Sequence, residues 1–248
     1  TTNLALLAYD GFNYANGATI GGQSGGTGWG GAWQIFGSAY IGTNTATGLS
    51  YGTLTTSGGA VRVGYPQPGV PNDTTTATPQ RVLPTTLGTI AATNNGVVWV
   101  SFLIHNPIYP TMPGKYYRQS NLGFFSGASG TNESGSEVAA IGSPNTSATV
   151  TTNFAAWGGT VAGSAPLIST VPSFSPDVQL AVLKLVVDNT TAVDTAYAWF
   201  NLNPLSLGNN TNAPNVTNAN LTFTGANLSA VNALRFQAGN YNSNGTNA

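Results

Sequence analysis

Cysteine is absent from the 248 residues, which excludes a disulfide scaffold and a thiol nucleophile without fixing the compartment. Charge is nearly as scarce. Six Lys and Arg and seven Asp and Glu leave a formal net charge of −1, and charged residues make up 5% of the chain, against about 25% in an average soluble domain. Six scattered cations cannot neutralise a row of phosphates, so no nucleic-acid partner is expected. Disorder needs low hydrophobicity together with high net charge, whereas 41% of this chain is hydrophobic. No apolar run is long enough to cross a bilayer, so no transmembrane segment is expected. The one histidine, His105, follows an apolar run and cannot build a His-rich zinc site.

What replaces the charges is Thr, Asn, Ser and Gly, a neutral hydrogen-bonding surface that suits a protein outside the cell. The chain opens at Thr1 with neither Met nor a charged-then-apolar leader, as a product freed of its signal peptide would. Secretion to the cell surface or the medium is therefore expected. Long helical periodicity is missing as well. Short β-rich runs alternate with Gly, Asn, Pro and Thr breaks, and the clearest strand candidates are residues 60–63, 97–104, 122–125, 137–141, 178–188, 195–202, 221–224 and 233–238. Run 97–104 is apolar on both faces and reads as a central strand, as does 180–187 with the cation Lys184. Residues 66–84, with five prolines, read as a long irregular loop, and 208–220 as a second. Residues 1–239 form one β-sandwich domain in this reading, and 240–248 a polar tail. Many short strands without helices imply an all-β sandwich or barrel.

The opening carries two distinctive runs. Leu7-Ala8-Tyr9-Asp10-Gly11-Phe12-Asn13-Tyr14 is followed by Gly25-Gly26-Thr27-Gly28-Trp29-Gly30-Gly31-Ala32-Trp33. Glycines here permit positive φ and close backbone approach, while Trp29 and Trp33 can plug a sandwich edge. A nucleotide cradle would need a following helix, and Trp-Gly-Gly-Ala-Trp does not start one. These runs resemble the opening of concanavalin A-like (laminin-G-like) jelly-roll domains of secreted bacterial proteins, often of the PEP-CTERM kind. Trp99-Val100-Ser101-Phe102-Leu103, Ala198-Trp199-Phe200-Asn201-Leu202-Asn203-Pro204 and Ala233-Leu234-Arg235-Phe236 resemble later strands of the same family, in order. The resemblance implies an antiparallel two-sheet jelly roll with long Gly-, Pro-, Asn- and Thr-rich loops.

Candidate chemistry is thin. Glu133 and Glu137 are the closest acidic pair, but a glycosidase needs two carboxylates facing each other across the bond, and Gly135 with its flanking serines reads as a turn. No enzyme is expected. Calcium takes oxygen ligands from loops, and Asp188, Asn189 and Asp194 are the best set, against the plainer reading of a hairpin turn; no cofactor is required. Trp157, Tyr109, Tyr116 and Tyr117 are candidates for stacking against a sugar face, against ordinary packing roles. Sequons for glycosylation begin at Asn72, Asn132, Asn145, Asn189, Asn209, Asn215, Asn220, Asn227 and Asn244.

A chain with so little charge lacks the self-repulsion that keeps copies apart. The function expected is a non-catalytic extracellular structural or adhesive protein, self-associating into a filament or array. The alternative is a lectin-like carbohydrate-binding module that takes glycans, and a polysaccharide-active enzyme is a distant third. The uncharged opening, with Leu4, Leu6 and Tyr9, is a candidate assembly strand: it pairs within its own sandwich, as the resemblance implies, or adds to a neighbour's sheet edge.

Overall fold

The computed structural model describes residues 6–36, 43–54, 56–63, 76–92, 96–106, 117–128, 135–143, 153–158, 166–173, 175–188, 194–206 and 214–241. Among the described residues thirteen strands run in chain order: β1 (Gln34–Phe36), β2 (Thr43–Thr45), β3 (Ala60–Arg62), β4 (Thr76–Val82), β5 (Val97–Ile104), β6 (Tyr117–Ser126), β7 (Ser136–Ser143), β8 (Asn153–Gly158), β9 (Leu167–Pro172), β10 (Gln179–Val186), β11 (Asp194–Phe200), β12 (Leu221–Ala226) and β13 (Val231–Tyr241). A seven-stranded antiparallel sheet has the order β1-β4-β13-β6-β7-β8-β9. A four-stranded antiparallel sheet, β12-β11-β10-β5, packs on it, and β2 and β3 form a separate pair. The molecule is an all-β sandwich.

Side chains from the two sheets meet in one core. Strand β10 sends Ala181, Leu183 and Leu185 inward, and β6 and β7 answer with Leu122, Phe124 and Ile141. Phe154 of β8 lies flat against Phe200 of β11, ring centroids 4.1 Å apart and 3° from parallel. Strand β11 stops where Asn201 turns left-handed, at φ 58°, a conformation asparagine tolerates better than most residues. The Asn201 amide donates to the Leu180 carbonyl and its side chain accepts from the Leu180 amide, so the turn stays tied to β10.

Several expectations change. Run 97–104 is a strand with those bounds, but β5 is the edge of its sheet rather than a central strand. Its outer face is apolar because Trp99 and Leu103 belong to a second, smaller cluster with Leu180, Val182 and Trp199. The 66–84 segment is not all loop, since β4 occupies its second half inside the seven-stranded sheet. Pro79 lacks an amide, and the β13–β4 register lapses between Gln80 and Ala77, either side of it. A short helix, α1 (Leu87–Ala92), precedes β5 and buries Leu87 and Ala91. The supposed tail begins inside a strand, because β13 continues to Tyr241. Of the opening segment, residues 6–9 join neither sheet, and Tyr9 makes a single bridge to Thr27.

Candidate functional site

The two glycine-rich runs close on each other around one ion pair. Asp10 meets Arg81 of β4, their side chains 4% and 2% exposed. Burial leaves a charge no water, so every lone pair needs a partner. The Asp10 carboxylate accepts from the Phe12 amide (2.8 Å), the Tyr14 hydroxyl (2.6 Å) and the Trp33 indole (2.7 Å). Arg81 donates to the carbonyls of Gly25 (2.7 Å) and Gly31 (3.0 Å), and its Cζ lies 5.0 Å from the Trp29 ring centroid. Phe12 is forced to φ 52° and packs against Trp33, which in turn stacks on Phe236 of β13. This clasp therefore extends the core at the β4 end of the seven-stranded sheet. Gly28 shows why the run needs glycine: at φ 77°, a Cβ would stand 1.7 Å from the Leu7 carbonyl oxygen.

Clefts of about 210 and 240 Å³ flank the ion pair. Both fall below the roughly 300 Å³ at which ligand pockets begin, and glycine supplies four of the nine residues that line each. The clasp is built to hold chain rather than a ligand. Burial, together with the hydrogen bond and the charge of Asp10, pushes the Tyr14 hydroxyl up to about 12, against the smaller lowering pull of Arg81.

A second polar group lies on the face of the seven-stranded sheet turned away from the core. There the Trp157 indole donates to Glu137 (2.7 Å), Arg235 bonds Gln80, and the Arg235 Cζ sits 3.7 Å from the Phe125 ring centroid. Burial raises Glu137 above the usual carboxylate range, although Trp157 and Arg235 pull it down. Trp157 is 7% exposed, so it is no sugar platform; cross-strand neighbours such as Ala140 hold it in β8. On the same face neither amide atom of Asn121, 4% exposed, has a partner among the described residues.

The other candidates divide. Asp194 is 2% exposed, and its two carboxylate oxygens accept from the amides of Asp188 (2.6 Å) and Ser229 (3.1 Å). It fastens the ends of the β10–β11 connection; of the other two calcium candidates Asp188 is exposed and Asn189 lies outside the described residues. Among the described residues no three His, Cys, Asp or Glu side chains come together. Tyr109, Tyr116, Glu133 and Leu4 also lie outside the described residues, and Tyr117 begins β6. His105 follows β5 and its Nε2 donates to the Pro176 carbonyl. Of the sequons, Asn215, Asn220 and Asn227 are exposed, whereas Asn72, Asn132, Asn145, Asn189, Asn209 and Asn244 lie outside the described residues.

The residues that sequence reasoning passed over are on the outer face of the four-stranded sheet. Lys184 stands in register between Trp99 and Tyr197, and both rings stack with Trp199, at 5.9 and 6.3 Å. The signal was a Trp or Tyr on each strand flanking the lysine, legible only once the pairing is known. Beside that row runs the free edge of β5. Among the described residues no backbone group pairs with it on the side away from β10.

Arg81→Met should destabilise the fold by about 3–5 kcal/mol, the usual cost of leaving a buried charge unpaired, as read from urea unfolding. Tyr14 gives the pH dependence. Its folded-state pKa lies above its ordinary 10, so its contribution is complete below pH 10 and is lost as pH rises toward about 12. The alkaline fall in melting temperature over that window should shrink in Tyr14→Phe.

No family model, no characterised protein and no solved structure matches this chain.

Proposed function

We propose that the protein is a non-catalytic structural or adhesive component of the cell exterior that polymerises with its own copies. The observation that carries this reading is the edge strand β5. It pairs with β10 over eight consecutive residues without a register shift, and it contains no charged residue. Open edges in soluble proteins are normally short, bulged or guarded by Lys. The other edges follow that rule: β1 has three residues, and β9 and β12 both meet their neighbours through a register shift. Among the described strands only β5, about 26 Å long at 3.3 Å per residue, is an edge of that length with a regular backbone, as another strand needs. The placed carboxylates Asp10, Glu137 and Asp194 each have structural partners, which fits a protein without catalytic machinery. The jelly-roll affiliation belongs to the same proposal, supported by the clasp that unites both opening motifs.

Electron microscopy and sedimentation of the full chain test the reading. Regular polymers are expected, and Ser101→Lys should suppress them. Ser101 is exposed on β5, so the substitution should change stability by no more than about 0.5 kcal/mol. A chain that stays monomeric at high concentration overturns the proposal.

A second reading, a glycan-binding module, rests on the half-buried rings of Trp99 and Tyr197, set against the buried Trp199 behind them, because flat aromatic faces pack against apolar sugar faces. Binding on a glycan array should weaken by about 1–3 kcal/mol in Trp99→Ala. Failure to bind any glycan removes this reading.

A further inference from the structure

We infer that the strand which completes the β5 edge is the opening segment of a second copy, residues 1–6, added in trans. This rests on the polymerisation reading and names its contact. Strand addition has simple requirements: an extended segment, no charge to desolvate, and side chains that alternate between a buried and an open face. Thr1-Thr2-Asn3-Leu4-Ala5-Leu6 has no charged residue and places Leu at alternate positions. Extended, it spans about 20 Å, within the length that β5 offers.

The structure shows how the chain that follows this segment is held. Tyr9 is fixed by paired backbone bonds to Thr27 (3.0 and 2.9 Å), and Gly28 receives the Leu7 backbone. Immediately before this anchor Leu6 is 73% exposed, outside both sheets. A large apolar side chain leading out of a rigid clasp is poised for burial elsewhere. The acceptor has matching character. On the core side β5 carries Val98, Val100, Phe102 and Ile104, and every second residue of an antiparallel edge turns its amide and carbonyl outward. Donor and acceptor are different surfaces of one chain, so the contact is heterologous. Repetition then gives an open polymer rather than a closed pair. By contrast β5 pairing with a second β5 would stop at a dimer.

Since the natural chain lacks cysteine, introduced thiols report pairing without background. Ala5 and Asn3 alternate with the leucines and so share the open face with the exposed Ser101. Ala5→Cys and Ser101→Cys, purified separately as full-length chains and mixed under mild oxidation, should give a disulfide-linked heterodimer. Asn3→Cys with Ser101→Cys serves as a second register. The double variant Ala5→Cys/Ser101→Cys should give a ladder of covalent polymers. An intramolecular disulfide in a monomeric double variant would overturn the inference in favour of pairing in cis. So would the absence of any crosslink in both registers from polymers that still form. Leu6→Asp supplies a test independent of folding. Its exposure predicts an unchanged melting temperature with loss of polymer, and a variant that polymerises like the parent overturns the inference while leaving the polymerisation reading intact. If the parent chain never polymerises, the reading beneath it fails first.

Discussion

The ion pair between Asp10 and Arg81 organises the part of the molecule that lacks regular strands. In a chain with six basic and seven acidic residues, two are taken wholly out of water, and that is tolerable only with every donor and acceptor matched. The match recruits Phe12, Tyr14, Gly25, Gly31 and Trp33 from two loops. These contacts hold Phe12 in a left-handed conformation that costs about 1–2 kcal/mol for a residue with a Cβ. With the loops fixed, Trp33 can cover Phe236, and the core continues past the reach of the strands. One carboxylate thus ties the glycine-rich chain between Asp10 and Trp33 into a wall against β4.

Against that wall the free edge of β5 acquires meaning. Solubility usually comes from charge, and an edge is usually defended by it. Among the described residues Arg81 and Arg235 are buried and Asp194 holds a hairpin, whereas Lys184 lies on the outer face of β10 and Arg62 is exposed in β3. The sheet edges are managed by backbone irregularity instead, at β9 and β12. A regular, unguarded β5 is then an exception within a consistent scheme. The exposed Leu6 is a second exception of the same sign.

The sandwich was legible in the sequence because alternation and turn residues report burial, and the bounds of β5 were read to the residue. Its place in the sheet was not, because periodicity records whether a face is covered and is silent on which strands lie alongside. Trp99 looked core-like for this reason; a second cluster of aromatics covers the outer face. Strand β8 was missed because Phe154, Ala155, Ala156 and Trp157 are all buried, which abolishes alternation. The same burial removed Trp157 from the sugar candidates. Strand β4 was hidden by its proline. In the clasp, glycine and tryptophan roles could be read from local chemistry, whereas Arg81, 71 positions from Asp10, could not. Asp194 was noticed for its charge, but its partner Ser229 is 35 residues distant and unmarked in sequence.

The position of β13 governs when any of this can form. This strand, closest to the end of the chain, sits between β4 and β6 in the middle of the seven-stranded sheet. Gln80 bonds Arg235 across a separation of 155 residues, and Trp33 has no Phe236 to cover until the final stretch is present. Loop closure over such distances is slow. Until β13 is in place the seven-stranded sheet stays divided between β4 and β6. Completion of the seven-stranded sheet and of the clasp therefore waits on β13, and the loops that hold Asp10 and Arg81 stay without their aromatic cover until that strand docks.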